Sequence, residues 1–125
     1  MTTKPIVVFN LPWPDPRLSS NKRLDRRALT EVRQTAKELG FYAIKENQIE
    51  MEARPMKLVI VFFPPDARKR DLDNLYTSFK PMQDGIFEAL QLDDSLIREV
   101  LLQWGPQGVG GMIVGLKYMD QVVHE

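Results

Sequence analysis

Apolar residues recur at two different periods along the chain, and the change of period separates strands from helices. Four stretches rich in β-branched and aromatic residues are typical of strands, and two stretches with apolar residues three and four positions apart are typical of helices. In chain order the six predicted elements cover residues 6–9, 25–43, 58–63, 74–90, 96–103 and 111–118. The order β-α-β-α-β-β predicts an α+β fold with two helices packed on one mixed sheet. With 125 residues the chain has the size of one domain, so residues 1–125 are expected to form a single small domain.

Particular residues refine these elements. The stretch 58–63, Leu-Val-Ile-Val-Phe-Phe, is apolar throughout, which predicts a central strand covered on both faces or nearly so. Turn-forming residues fill 104–110, so we expect the last two strands to form a hairpin. Asp25 is a good N-cap for the first helix, whose end is left open by Gly40. Pro81 predicts a kink or a restart in the second helix.

Composition excludes several classes of site. The chain has no Cys, which excludes disulfides and thiolate metal sites and leaves oxygen ligands. The single His, His124, is next to the last residue and is interpreted as part of a frayed tail. No apolar run approaches the ~20 residues of a membrane span, and the first residues lack the apolar region of a signal peptide. We therefore expect a cytoplasmic protein with no membrane partner. No Gly-rich phosphate loop is present, so no nucleotide cofactor is expected.

The formal net charge of zero conceals two oppositely charged regions. Residues 17–33 contain six basic and two acidic residues, a net charge of +4, whereas residues 71–99 contain two basic and seven acidic residues, a net charge of −5. This separation favours a protein that attracts a polyanion with one surface and holds a cation at another. The candidate DNA contacts in this basic region and just after it are Asn21, Lys22 and Arg23 in a loop and Arg26, Arg33 and Lys37 along the first helix. A solvated loop and a solvated helix face are the alternative interpretations.

Cations and carboxylates are crowded together just before the second helix. The sequence there is Arg68-Lys69-Arg70-Asp71-Leu72-Asp73-Asn74, and Asp93-Asp94 follows after the helix. Side chains two residues apart point to the same side of an extended segment, so we expect an extended Asp-Leu-Asp that aims Asp71 and Asp73 at one point. Such carboxylates can bind Mg²⁺ while the neighbouring cations, Arg68 and Lys69 among them, contact a phosphodiester. Capping of the helix by Asp73 explains one carboxylate but not all four.

These residues resemble a known family. Arg-Asp-Leu-Asp-Asn-Leu at 70–75, Asp-Asp-Ser at 93–95, Leu-Pro-Trp-Pro at 11–14 and Ser-Asn at 20–21 are similar to the RusA family of Holliday junction resolvases, small endodeoxyribonucleases common in phages and prophages. The resemblance extends from about residue 9 to residue 111. It implies a crossover junction endodeoxyribonuclease of DNA recombination and repair: a homodimer that requires Mg²⁺, with Mn²⁺ as a substitute, and nicks paired strands of a four-way junction.

The resemblance also implies roles for single residues. The family's metal-binding aspartates match Asp71, Asp73 and Asp94, with Asp93 and Asn74 beside them. Arg70 matches a basic residue that contacts the scissile phosphate or the junction backbone. The predicted catalytic residues are therefore Asp71, Asp73, Asp94, Arg70 and Lys80.

The lysine of the family pattern is the exception. The family has it four residues after the second aspartate, where this chain has Thr77, and Lys80 lies about one helical turn further on. Lys80 is the candidate to reach the same phosphate. The departure favours one alternative, a catalytically weakened DNA-binding phage accessory protein of the same fold. A metal-dependent phosphohydrolase that acts on a small phosphoester is a second alternative.

Overall fold

The computed structural model describes residues 6–19 and 23–119, which form a four-stranded mixed sheet and two long helices. The elements are β1 (Ile6–Leu11), α1 (Arg26–Glu46), β2 (Met56–Phe63), α2 (Leu72–Leu90), β3 (Ile97–Trp104) and β4 (Gly111–Tyr118). Two short 3₁₀ helices cover Pro16–Leu18 and Asp94–Leu96. The predicted α+β class and the order β-α-β-α-β-β are confirmed. His124 lies outside the described residues.

The strand order is β1-β4-β2-β3, so β2 lies between the last two strands of the chain. It pairs in parallel with β3 and antiparallel with β4, and β4 pairs antiparallel with β1. The predicted hairpin of β3 and β4 is therefore wrong. Their connection crosses the end of β2, where the Gly105 N–H donates to the Phe62 carbonyl at 2.8 Å and the Gly108 N–H donates to the Pro64 carbonyl at 2.9 Å. The prediction that this strongly apolar strand is central is confirmed: β2 is one of the two inner strands, and its neighbours on both sides keep its backbone from water.

Only one face of the sheet is covered by the helices. The alternate β2 residues Met56, Leu58, Ile60 and Phe62 are fully buried, while the residues between them are half-buried. The expectation that β2 is covered on both faces is wrong. The open face exposes large apolar side chains from the other three strands: Val8, Leu101 and Ile113.

Glycine allows the two helices to pack backbone against backbone. A Cβ atom at Gly40 would lie 2.0 Å from the Met82 carbonyl oxygen, and one at Gly85 would lie 1.9 Å from the Lys37 carbonyl oxygen. Neither position has room for a side chain. Gly40 thus lies inside α1 rather than at its end. At the other end of α1 the prediction is confirmed, since Asp25 is the N-cap and accepts from the Ala28 N–H at 2.8 Å.

The second helix begins earlier than expected. Asp71 is the N-cap, with φ −102° and ψ 137°, and Leu72 and Asp73 are already helical. The predicted extended Asp-Leu-Asp is therefore wrong, and so is capping by Asp73. The helix starts at Leu72 because this residue packs against the core from the first turn.

Pro81 lies inside α2 without interrupting it. A proline removes one N–H donor from the helix, here the partner of the Thr77 carbonyl. The predicted restart is wrong. Phe79 and Met82, on either side of the proline, are both fully buried in the core, so packing keeps the residues before and after Pro81 in one continuous helix.

Candidate functional site

The start of α2 and the loop after β1 line one cavity of about 370 Å³. Its walls are Trp13, Pro14, Pro16, Ser19, Arg68, Lys69, Arg70, Asp71, Asn74, Leu75 and Ser78. The two segments are far apart in the sequence but meet because the first 3₁₀ helix packs against both α1 and α2. The structure thus joins the Pro-Trp-Pro loop to the cluster of cations and carboxylates.

Asp71 stands at the N-cap of α2 but does not cap it. Its side chain makes no hydrogen bond to the N–H groups of the first turn, whereas such a bond usually contributes ~1 kcal/mol. Its Oδ2 accepts instead from Asn74 Nδ2 at 3.4 Å, and only its backbone carbonyl continues the helix, by accepting from the Leu75 N–H at 3.1 Å. Helix capping therefore does not explain this carboxylate. It remains available to a ligand in the cavity.

Asp73 is exposed in the first turn of α2. Within the part of the chain that the structure describes, its carboxylate makes no hydrogen bond or ion pair. Its backbone carbonyl accepts from the Thr77 hydroxyl at 3.1 Å. A carboxylate here is favoured by the unpaired N–H groups at the helix start, which is a structural reason for its presence. The same exposure leaves it free to bind a cation.

The Arg70 side chain makes its hydrogen bonds within the loop that precedes α2. Its Nη2 contacts Asp66 Oδ1 at 2.8 Å, and its Nη1 donates to the carbonyls of Asp66 and Arg68 at 3.4 and 3.3 Å. Its guanidinium lies 5.2 Å from the centre of the Trp13 ring, and its side chain is 16% exposed. Arg70 therefore fixes the loop against Trp13. Its predicted role at the scissile phosphate stays a prediction.

Asp66 organises the same loop and was missed in the sequence. Its Oδ1 accepts from the Arg68 N–H at 3.0 Å, and the exposed Arg68 side chain approaches its Oδ2 at 3.6 Å. The Arg68 N–H, followed by the Arg70 guanidinium, lowers the pKa of Asp66 below its ordinary value. The arrangement of an Asp directly after Pro64-Pro65, two and four residues before arginines, was the available indication.

Asp94 is tied to a different part of α2. Its Oδ2 accepts from Gln83 Nε2 at 3.1 Å, and Gln83 Oε1 accepts from the Tyr76 hydroxyl at 3.0 Å. Burial, and then the charge of Asp94, raise the pKa of Tyr76. Sequence reasoning missed Gln83 and Tyr76. A glutamine in the apolar period of a helix, between Met82 and Ile86, was the indication.

Asp93 caps the second 3₁₀ helix. Its Oδ2 accepts from the Ser95 N–H at 3.1 Å. Hydrogen bonds from the Ser95 hydroxyl and backbone lower the pKa of Asp93. The capping interpretation accounts for this residue, which fixes the backbone next to Asp94. Asn74 donates to Asp71 and so lies beside one of the predicted ligands, but its role at a metal stays a prediction.

The predicted metal ligands do not form one ready group. Within residues 6–19 and 23–119, no three acidic or histidine side chains lie close enough together to hold a metal ion. Asp71 is the N-cap of α2 and Asp73 lies in its first turn, whereas Asp94 is hydrogen-bonded to Gln83, further along the same helix. In proteins Mg²⁺ is usually bound by one or two carboxylates and several waters. Asp71 and Asp73 supply oxygen donors of this kind. The three-ligand set stays a prediction.

A second groove, of about 660 Å³, runs between α1 and α2. It brings Arg33 and Lys37, two of the predicted DNA contacts on α1, together with Lys80. Lys37 also pairs with Glu88 at 3.0 Å, and the Lys80 ammonium lies 5.1 Å from the centre of the Tyr76 ring. Lys80 is thus part of this groove and does not line the cavity that contains Asp71.

The other predicted DNA contacts lie on the surface. Arg68 and Lys69 are exposed at the rim of the Asp71 cavity, and Arg23 and Arg26 are exposed at the start of α1. Asn21 and Lys22 lie outside the described residues. None of the helices in the described ranges combines the length and the apolar character needed to cross a membrane.

Comparison with known proteins adds a relative without an assigned activity. No family model matches the chain. The chain is similar to an uncharacterized protein of Xylella fastidiosa (strain Temecula1 / ATCC 700964), with 34% identity over 96 residues. The match covers 73% of this chain and 62% of the relative, so the chain spans less than two thirds of the relative's length.

Proposed function

We propose that the protein is a Mg²⁺-dependent, structure-specific endodeoxyribonuclease that resolves Holliday junctions by hydrolysing one phosphodiester in each of two strands. The observation that supports this most is the cavity at the start of α2. This cavity is lined by the Asp71 carboxylate, which makes no capping bond to α2, by the exposed cations Arg68 and Lys69, and by the loop of Trp13. The resemblance to the RusA family rests on the same two segments.

Asp71 and Asp73 are the residues that would hold Mg²⁺, with Asp94 as the predicted third ligand. A bound Mg²⁺ supplies a positive centre that polarises a phosphate oxygen and lowers the pKa of a water. Arg68 and Lys69 would hold the DNA backbone at the rim of the cavity. The N–H groups of the first turn of α2, which Asp71 leaves uncapped, favour an anion on the same side.

A four-way junction presents more than one backbone to a small protein, and the chain has a second basic surface for it. Three cations, Arg33, Lys37 and Lys80, and one carboxylate, Asp84, line the groove between the helices. The first 3₁₀ helix separates this groove from the Asp71 cavity. We infer that this groove binds a second backbone segment. A two-fold homodimer would then place two such sites on a symmetric junction, which is the simplest way to cut paired strands.

The test is a cleavage assay on four-way junction, duplex and single-stranded DNA in Mg²⁺. We expect the wild type to nick paired strands of the junction and to lose this activity in EDTA. Asp71→Asn and Asp73→Asn should each lower the rate at least ~100-fold, as the loss of a principal charge-stabilising group does. Asn is also a good N-cap residue, so Asp71→Asn should fold normally.

Asp25→Asn is the matched control, because it makes the same change at the N-cap of the other helix. It should cut like the wild type. Junction nicking that persists in both Asp71→Asn and Asp73→Asn would refute the assignment of the site. So would full activity in EDTA.

A second candidate function is that of a DNA-binding accessory protein with little or no catalysis. The observation in its favour is that Lys80 lies in the groove between the helices, while the Thr77 hydroxyl donates a hydrogen bond to the Asp73 carbonyl. No lysine then stands where the family pattern has one. Tight junction binding with no nicking in either Mg²⁺ or Mn²⁺ would favour this candidate over the nuclease.

A further inference from the structure

A buried glutamine connects α2 to the aspartate that follows it. Gln83 lies on the core side of the helix and is 4% exposed, while Met82 and Ile86 beside it are fully buried apolar residues. Its Nε2 donates to Asp94 Oδ2 at 3.1 Å, and its Oε1 accepts from the Tyr76 hydroxyl at 3.0 Å. Both ends of the amide are therefore engaged.

The chemistry of the three groups fixes the direction of their hydrogen bonds. An ionised carboxylate only accepts, so Gln83 must turn its NH₂ group toward Asp94. The amide oxygen then faces Tyr76, whose hydroxyl must donate. The Gln83 carbonyl oxygen, the Tyr76 hydroxyl and one oxygen of Asp94 each have a partner in this arrangement. The orientation of the Asp94 carboxylate thus depends, through Gln83, on Tyr76, which lies two helical turns before Gln83.

A neutral amide does something here that neither a cation nor an apolar residue would do. An Arg or Lys at position 83 would also hold Asp94, but it would neutralise the carboxylate. A Leu would suit the buried position better, since burying an amide costs free energy that its hydrogen bonds return only in part. Gln83 fixes one oxygen of Asp94 and leaves its charge and its second oxygen for an outside cation.

We propose that Gln83, oriented by Tyr76, is a positioning residue that holds Asp94 ready to bind a divalent cation. The inference rests on the proposed function, because it takes Asp94 as a metal ligand. It adds two residues that do not belong to the resembled motif. Gln83 does not contact the cation and acts only through Asp94.

The test measures Mn²⁺ binding without DNA, by electron paramagnetic resonance of free Mn²⁺. Gln83→Leu should weaken binding at least ~10-fold, as the loss of groups that orient metal ligands does. Tyr76→Phe removes one neutral hydrogen bond and should weaken binding about fivefold. The thermal midpoint of Gln83→Leu should equal or exceed that of the wild type, which separates positioning from a structural role. In a chain that already carries Asp94→Asn, adding Gln83→Leu should cause no further loss of Mn²⁺ affinity.

Gln34→Leu is the matched control. Gln34 Nε2 donates to Glu38 Oε2 at 3.1 Å on the exposed side of α1, so the same change breaks the same kind of bond away from Asp94. This variant should bind Mn²⁺ like the wild type. If Gln83→Leu does not fold, the Mn²⁺ affinity of Tyr76→Phe tests the positioning role instead, and wild-type affinity in that variant would overturn it.

Four results separate the positioning role from the proposed function. Loss of affinity in Gln83→Leu that is absent on the Asp94→Asn background supports the positioning role. Wild-type affinity in Gln83→Leu, with reduced affinity in Asp94→Asn, overturns it and leaves the metal site standing. Wild-type affinity in Asp94→Asn overturns it as well, while Asp71 and Asp73 can still carry the nuclease. Absence of both Mn²⁺ binding and cleavage in the wild type overturns both proposals.

Discussion

The Asp66 carboxylate links the end of β2 to the start of α2 through Arg68 and Arg70. These contacts lower the pKa of Asp66 in the folded chain. A carboxyl group with a lowered folded pKa stabilises the fold at pH values above its unfolded pKa. That contribution is lost as the pH falls through the folded pKa. The loop beside the cavity should therefore loosen in acid.

This predicts a pH-dependent effect of Asp66→Asn. At pH 7 the variant should unfold at a lower urea concentration than the wild type, because the ionised carboxylate is missing. Below about pH 4 the difference should shrink, since the wild-type group also becomes neutral there. Urea midpoints at both pH values measure it, with the exposed Asp84→Asn as a control that leaves the loop intact. A difference that stays constant with pH would contradict the assigned role.

Residues differ in how far the sequence alone could place them. The cluster of Arg68, Lys69 and Asp71 was found because adjacent like charges are unusual, and the structure does put it on one cavity. Gln83 and Asp66 were missed because their roles depend on partners that only the folded chain brings near. No pattern within α2 shows that the amide of Gln83 meets Asp94.

The contact between the two helices depends on the absence of side chains at two positions. At Gly40 a methyl group would collide with the Met82 carbonyl, which belongs to a helix backbone and cannot rotate away. Gly→Ala usually favours a helix by about 1 kcal/mol, but here the helices would have to separate. Separation would also disturb the groove that contains Lys37 and Lys80.

We therefore expect Gly40→Ala to lower the free energy of unfolding by about 3 kcal/mol, at the upper end of overpacking effects. Gly108→Ala is the matched control, because a Cβ atom there has no neighbour within 4 Å. Its effect should stay within about 0.5 kcal/mol. Chemical denaturation of both variants measures the difference. A neutral Gly40→Ala would mean that the helices do not touch as described.

At the level of elements, the sequence predicted type and order but not neighbours. Both helices and all four strands follow from apolar periods, which are local properties. The false hairpin arose because the turn residues between β3 and β4 suit a tight connection. The apolar run of β2 did predict an inner strand, but that β4 is the other inner strand and separates β1 from β2 is decided by the whole sheet. Likewise α2 starts at Leu72 because of a core contact that the segment itself does not display.

The whole molecule has one face without a cover. The sheet opposite the helices has an apolar middle, and its charged residues Lys57, Lys117 and Glu99 lie side by side at one end. Four strands of this length offer roughly 500 Å². Two copies facing each other would bury about 1,000 Å², which is near the lower limit for a specific interface. An antiparallel two-fold arrangement would keep the lysines of the two copies apart.

This predicts a dissociable homodimer that uses the open face. Leu101→Lys and Ile113→Lys each place a charge on the apolar part of that face, where both residues are exposed. Sedimentation velocity at increasing concentration should show a dimer for the wild type and a monomer for these variants. Val109→Lys changes an apolar loop residue that is 99% exposed and should leave the dimer intact. If all four proteins sediment alike, the open face is not the interface.

The place of β4 has a consequence for a chain made from its N-terminus onward. β4 is the last of the described strands to leave the ribosome, yet it is the one that pairs with both β1 and β2. Until it emerges, β1 has no neighbour in the sheet, and the loop that follows β1 is anchored only on its other side, where the first 3₁₀ helix packs against α1 and α2. We therefore expect the wall of the Asp71 cavity that comes from this loop to be completed only after β4 has emerged. A nascent chain would contain Asp71 and Asp73 before this wall is in place.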